Sequence, residues 1–485
     1  MTPELFRAIQ SIVGPKHLLA GSGPDAAGYS ADWTGSYRWQ PWAIARPAST
    51  DEVSAILRLA AENRLQVVPS GGRTGLTGGL HAEGALMLSL ERMNRIRAID
   101  AKTRTAVVEA GVILSQIHDA ADDLGLYFPL WFGARGSAMI GGALSTNAGG
   151  SNVLRHGSAR ALCLGLEAVL ADGRVLNLMS ALHKDNSGYD LKDLFIGAEG
   201  TLGVITAATV RLVPKARAHV TAMLALDDLA DALDVLNQLQ TASGGLVEAF
   251  EFMPRAYMEQ LARHLPHLGQ PFTDVAAVTI LAELGATAPR DVAPEPDGTI
   301  PIATLVEDTL GGLIEKGTVR DAIIARSHAQ RGAMWARREA AAELARVQGH
   351  SVDFDVALPL DRLGPFLVQA EAETARLDPG AYTNTVGHLG DGNIHLAVFT
   401  TRADPDLADA ITTAVEDVVR RLDGSFSAEH GIGLSKLGSM RRRKDPVALD
   451  VMRRIKAALD PLAILNPGKT VPDIPAPPDL PPRPS

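Results

Sequence analysis

Apolar residues recur at helical spacing early in the chain. Ser49-Thr50-Asp51-Glu52 opens a helix, because a hydroxyl there can cap free backbone amides, and Val53, Ile56, Leu57 and Ala60 follow on one face. The segment from about Trp42 to Pro69 therefore predicts strand, helix, strand, ending in Leu65-Gln66-Val67-Val68-Pro69. A glycine-rich loop follows at once, from Gly71 to Gly79. Thr105 to Ala110 reads as a strand, Ile113 to Leu124 as a helix, and Phe128 to Gly157 as an irregular glycine-rich stretch. Leu166 to Leu170 and Arg174 to Leu178 flank Asp172-Gly173, a pair suited to a tight hairpin turn. Val204 to Val213 is a strand that closes this first unit near Pro214.

The pattern changes after about Ala216. Apolar strands such as Val220 to Leu224 and Ala277 to Glu283 alternate with helical stretches such as Leu229 to Leu239. This predicts an α+β unit with an antiparallel sheet. Ala288 to Gly298, rich in proline and acid, reads as an exposed loop. The expected division is 1–215, 216–425, a C-terminal segment 426–470 that returns to the first unit, and a proline-rich flexible tail 471–485.

Composition narrows the function classes. Lys and Arg number 46 against 56 Asp and Glu, a formal charge of −10 that disfavours nucleic acid and anionic membranes as partners. The one cysteine, Cys163, lies in an apolar run and reads as an inert core thiol; it allows no intrachain disulfide. There is no leader-like start and no run of about 18 apolar residues, so the expectation is a cytoplasmic chain without an integral membrane segment.

Three glycine-rich blocks carry the first chemical signal. The first is Pro69-Ser70-Gly71-Gly72-Arg73-Thr74-Gly75-Leu76-Thr77-Gly78-Gly79. The second runs from Gly133 through Ser137, Gly141 and Gly142 to Asn147-Ala148-Gly149-Gly150. The third comprises Asp185 to Asp190 and Glu199-Gly200-Thr201-Leu202-Gly203-Val204-Ile205. Glycine lets main chain approach a phosphate and present several amides to it. The first block has neither the dinucleotide nor the ATP loop spacing. Three blocks together argue for one long, extended ligand.

The second signal is Gly387-His388-Leu389-Gly390-Asp391-Gly392-Asn393-Ile394-His395, in which a tight turn lets two imidazoles face one point. Ser427-Ala428-Glu429-His430-Gly431 stands further on. Two His and one Glu form a catalytic metal set with an open position.

These motifs resemble the FAD-binding vanillyl-alcohol oxidase and p-cresol methylhydroxylase (PCMH-type) superfamily. They are most similar to the branch of D-lactate dehydrogenase, the glycolate oxidase catalytic subunit and D-2-hydroxyglutarate dehydrogenase. The resemblance implies an α+β fold: a two-subdomain PCMH-type FAD-binding domain, a cap domain with an antiparallel sheet, and a helical C-terminal segment. It implies FAD contacts at Pro69, Gly71, Gly72, Arg73, Thr74, Gly75, Gly78, Gly79, Ser137, Gly141, Gly142, Asn147, Glu199, Gly200, Gly203 and Ile205, and at Asn466 of Asn466-Pro467-Gly468-Lys469. His156, where relatives often carry Tyr, is expected to hold a structural or flavin-adjacent place rather than a covalent link. The resemblance further implies Zn²⁺, Mn²⁺ or a similar ion on His388, His395 and Glu429, with His430 as base.

The implied activity is oxidation of a D-2-hydroxy acid to the 2-keto acid. Hydride goes to flavin N5, and electrons pass on to an electron-transfer flavoprotein, quinone or cytochrome rather than NAD. Arg338, on an expected helix around Trp335-Ala336-Arg337-Arg338-Glu339, would bind the substrate carboxylate through its planar fork, with Asp353 and Asn393 also facing substrate. D-2-hydroxyglutarate enzymes carry Thr, Lys and Asn where this chain has Ala342, Asp353 and Ala397. If Asp353 lines the pocket it repels a second carboxylate by about 1–4 kcal/mol, so a monocarboxylate with a neutral or cationic tail is expected. Two alternatives share these motifs: D-2-hydroxyglutarate dehydrogenase proper, and a glycolate oxidase-like subunit of a complex. A metal-dependent hydrolase is the reading from another class. Nothing in the sequence fixes the oligomeric state, and a homodimer is allowed.

Overall fold

The Ser49 hydroxyl accepts the Glu52 amide and starts the helix Thr50–Glu62, whose Val53, Ile56, Leu57 and Ala60 are fully buried. They pack on a four-stranded sheet ordered Leu18–Ala20, Ala43–Ala45, Leu86–Ser89, Val67–Ser70, in which the last three strands run parallel. The computed structural model describes residues 2–348 and 350–473. Most of the expected flexible tail, residues 474–485, lies outside the described residues.

A five-stranded antiparallel sheet follows, ordered Ile96–Asp100, Thr105–Glu109, Val204–Arg211, Cys163–Val169, Val175–Leu178. The expected hairpin is its edge pair, joined through Gly173 at φ 82°. The helix Leu114–Asp122 packs against this sheet. Cys163 is buried there, and burial pushes its thiol up to about 12, as expected of an unreactive core group. The stretch 128–157 differs from the irregular chain anticipated. It contains the short helices Ile140–Ser145 and Val153–His156 and a 3₁₀ turn at Gly133–Gly136. Segments of four to six residues span under two turns, too few to register as a period.

Past Pro214 the chain enters a seven-stranded antiparallel sheet. Its order is Asp321–Ile324, Ala218–Leu226, Val278–Ala286, Val247–Pro254, Tyr382–His388, Asn393–Phe399, Ser351–Ala357. Helices Ala230–Ser243, Pro301–Glu315, Leu363–Leu377 and Pro405–Arg421 bury their apolar faces on one side of it. The other side is mixed: a smaller apolar cluster around Met253, Tyr257 and Met334 adjoins a row of charged residues. Ala288–Gly298 is mostly exposed, with one helical turn at Pro289–Val292. After the helices Leu437–Arg443 and Pro446–Leu459, the chain returns to the first sheet. There the Val67 amide donates to the Ile464 carbonyl and the Asn466 amide donates to Val67, both at 2.8 Å.

Candidate active site

The glycine blocks converge. A Cβ at Gly71 would meet Gly142 at 3.6 Å, so the first and second blocks lie side by side, while Gly75 and Gly142 face open space. Several of the other glycines are small because protein packs on them. A Cβ at Gly72 would sit 2.1 Å from the Ser137 carbonyl, and one at Gly141 2.6 Å from Ala110. Gly78, Gly200 and Gly203 are similarly closed by Tyr37, Pro69 and Phe195. For these five the protein's own close approach accounts for the missing side chain.

Some residues other than glycine in these blocks and at the C-terminal return also take up left-handed backbone. Arg73, Asn147, Glu199 and Asn466 all have φ between 40° and 58°, a cost that tends to persist where a site over-determines the chain. Asn466 Nδ2 ties two blocks together by donating to the Gly79 and Glu199 carbonyls at 3.1 and 2.7 Å. Ser137 is exposed, Ile205 is buried in the core, and the Asn147 side chain accepts from Ser158 and Arg160. Arg73 stacks on Tyr29 and pairs with Glu91 at 3.7 Å. Buried polar atoms left without a hydrogen-bond partner include Ser70 Oγ, Ser89 Oγ and Asn466 Oδ1. Such atoms fit a polar ligand that completes them. Glu199 departs from the expectation of a free cofactor contact: its carboxylate accepts the Ile432 and Gly433 amides, both at 2.8 Å.

The second cluster forms on the charged side of the seven-stranded sheet. The pairing of His395 with both Asp355 and Val386, and of Glu251 with His388, puts these residues in two adjacent rows on one face of the sheet. Glu429 and His430 reach that face from a loop, as their adjacency requires. His395 Nε2 and His430 Nε2 lie 3.6 and 3.7 Å from Glu429 Oε1, and their rings are stacked 5.5 Å apart. Their Nδ1 atoms lie 3.8 and 3.6 Å from the Asp355 carboxylate.

Potential ligand atoms of Asp355, His395, Glu429 and His430 all fall within 4.8 Å of one another. That set differs from the expected trio in holding Asp355 and His430 in place of His388. The His388 ring is nevertheless only 5.4 Å from His395, and its Nδ1 bonds to Glu251 at 2.9 Å, leaving Nε2 free. A carboxylate behind a ring nitrogen is a common support for a metal-binding imidazole. Burial lowers the His388 pKa, but Glu251 outweighs it and holds the ring at about 8. Burial and the neighbouring histidines push His395 well below the usual value, toward the neutral form that a metal needs.

Arg338 sits on the helix His328–Glu339, is 8% exposed, and pairs with Glu251 at 2.8 Å. Its Nη2 is buried without a partner, a donor aimed at something absent from the protein. Asp353 shares its face of the strand with Asp355 and is solvent-exposed. Burial by surrounding protein still raises its pKa, against a Ser351 hydrogen bond and the His430 charge. Asn393 is less available than expected. Its Nδ2 donates to Asp355 at 2.9 Å and to the Val356 carbonyl at 3.0 Å, so only its carbonyl oxygen remains for a ligand.

The two clusters touch. A Cβ on Gly149 of the second glycine block would lie 2.7 Å from Glu429 Oε2, and one on Gly431 3.0 Å from Glu199 Oε1. His156 lies 3.7 Å from Glu248, in an ion-pair group with Arg155 and His219. Glu251 and Asp355 were not singled out from the sequence. Each shares its strand with another acid, Glu248 or Asp353, so only the pairing of distant strands sets them apart.

A glycine-lined cradle joined to a histidine–carboxylate cluster on a separate antiparallel sheet defines a flavoenzyme of the FAD-linked oxidase family, and the chain belongs to that family. Residues 41–179 match the family model for the FAD binding domain, and residues 215–470 match that for FAD linked oxidases, C-terminal domain. A D-2-hydroxyglutarate dehydrogenase of Xanthomonas citri pv. viticola is 38% identical over 99% of this chain and 100% of its own. The mitochondrial D-2-hydroxyglutarate dehydrogenase of Danio rerio is 37% identical over 92% of this chain and 81% of its own. Among solved structures, p-cresol methylhydroxylase with substrate bound superposes with a TM-score of 0.74 at 15% identity, covering 97% of this chain and 96% of that one. Alkyldihydroxyacetonephosphate synthase gives 0.72 at 15% identity, covering 96% and 86%. These two likenesses show the PCMH-type fold. Among the described residues no helix is long and apolar enough to cross a membrane.

Proposed function

We propose that the chain oxidises a D-2-hydroxy acid to the 2-keto acid at the junction of the two clusters. The observation that carries this reading is the contact of Gly149 with Glu429, which sets the base and ligand cluster against the glycine cradle. FAD, when bound, would supply the acceptor for the C2 hydride, which carries both electrons. A divalent ion on His388, His395 and Glu429, zinc or manganese among the candidates, supplies Lewis acidity toward the 2-hydroxyl.

The protein's own groups do the rest. Arg338 pairs with the substrate carboxylate, and Glu251 fixes the guanidinium from behind. His430 takes the hydroxyl proton at Nε2, the nitrogen turned toward Glu429. Asp353, exposed on the strand face it shares with Asp355, disfavours a second carboxylate and favours a neutral or cationic tail. Electrons then leave to an acceptor other than NAD: an electron-transfer flavoprotein, quinone or cytochrome. A hydrolase reading has no use for the FAD-binding domain that the chain carries.

D-2-hydroxyglutarate itself is the second reading, favoured by the names of relatives 33–38% identical. Anaerobic reduction by D-lactate, longer neutral D-2-hydroxy acids and D-2-hydroxyglutarate separates the two. The neutral acids are expected to reduce the flavin faster. A strong preference for the diacid discards the Asp353 argument, and no reduction by any of them discards the activity.

A further inference from the structure

The loop bearing Glu429 and His430 has no regular structure, yet both side chains must hold one geometry. Two buried carboxylates grip it, one on a strand of the seven-stranded sheet and one in the turn that follows the helix Lys192–Phe195. Asp355, 2% exposed, accepts at Oδ2 the amides of Ala428, Glu429 and His430 at 3.2, 3.0 and 2.9 Å. Three successive amides on one oxygen form an anion-binding nest. Glu199 takes the next amides, those of Ile432 and Gly433. Lys436, half-buried beside them, places Nζ 3.5 Å from Asp355 Oδ2 and 3.0 Å from Ser427 Oγ. Asp355 Oδ1 accepts from Asn393. Both oxygens are thus already engaged, which suits a holder better than a ligand.

We infer that Asp355 is the positioning residue of the site. It clasps the 428–430 backbone and faces Nδ1 of both His395 and His430, so that their Nε2 atoms and the Glu429 carboxylate converge on one point. This rests on the reading of His430 as base. A carboxylate at Nδ1 favours the tautomer with its proton there, leaving Nε2 open. Asp355 acts through its neighbours and is expected to alter the rate of reaction rather than the affinity for substrate, which rests on Arg338.

The test uses the full-length, FAD-loaded chain carrying D355N, D355E or D378N. Asp378 is an equally buried carboxylate that accepts the Thr401 amide and hydroxyl at 2.8 and 2.6 Å, away from the cluster. D355E keeps the charge but shifts it by a methylene, so a need for charge alone would be met. Both Asp355 variants are expected to keep flavin and near-native KM while kcat for flavin reduction falls on the order of 100-fold. In D355N, hydrogen exchange at 428–430 is expected to quicken about tenfold or more as the opening free energy falls. D378N is expected to change neither readout.

Asp355 variants that reduce flavin within about threefold of native, or an unaltered exchange rate at 428–430, overturn the role of Asp355. If D355N does not fold, D355E decides. A native chain whose flavin no D-2-hydroxy acid reduces removes the proposed activity and this role together. A reducible native chain beside active variants removes this role alone.

Discussion

His430 and its neighbour Glu429 illustrate what single residues can and cannot announce. Histidines near glycine turns are visible in a sequence, and His388, His395, Glu429 and His430 do come together. Their supports were not legible. Asp355 and Glu251 owe their importance to register across strands distant in sequence, which no local pattern encodes. Arg338 was legible as a cation on a helix, but its burial and its orphaned donor were not. At this scale the expectation is direct. His430→Ala should keep fold and flavin, while substrate reduces that flavin about 10²–10⁴-fold more slowly. Near-native reduction in a stopped-flow experiment would remove His430 from the base role.

Among elements, long periodic ones were readable and short ones were not. The helix Thr50–Glu62 and the hairpin through Gly173 follow from spacing and turn chemistry, whereas Ile140–Ser145 is hidden among glycines chosen for close packing. The glycine blocks lie side by side, and their glycines divide between open space and tight protein contact. Gly149 joins the blocks to the ligand cluster. Gly149→Ala is expected to displace Glu429 and lower kcat on the order of 100-fold, with flavin content unchanged. A native kcat in that variant would show that the two elements need not meet so closely.

At the scale of the whole molecule, the flavin-binding region and the seven-stranded sheet are clamped by charge. Arg155, on the helix Val153–His156, donates to Glu248 and to the Gly285 carbonyl, each at 2.7 Å. Burial raises the Glu248 pKa, but the neighbouring His156 and His219 and the Arg155 charge outweigh it and hold the carboxyl far below its usual range. A depressed acid stabilises the fold above its unfolded pKa, and that contribution fades as pH falls toward the folded value. Glu248→Gln is therefore expected to cost about 2–4 kcal/mol at pH 7 in urea unfolding, a gap that narrows below about pH 4. A gap unchanged from neutral to acid would contradict the clamp. Removal of divalent metal by a chelator should stop turnover while the yellow colour remains. Full activity after metal depletion would exclude the ion from the reaction.

On the proposed reading, a D-2-hydroxy acid meets a flavin held across the two clusters. An anaerobic visible spectrum of the purified protein, taken before and after adding each enantiomer of a 2-hydroxy acid, tests it most directly. A yellow protein bleached by the D form and untouched by the L form is the expected result. A colourless folded protein, or a flavin indifferent to every D-2-hydroxy acid, would contradict it.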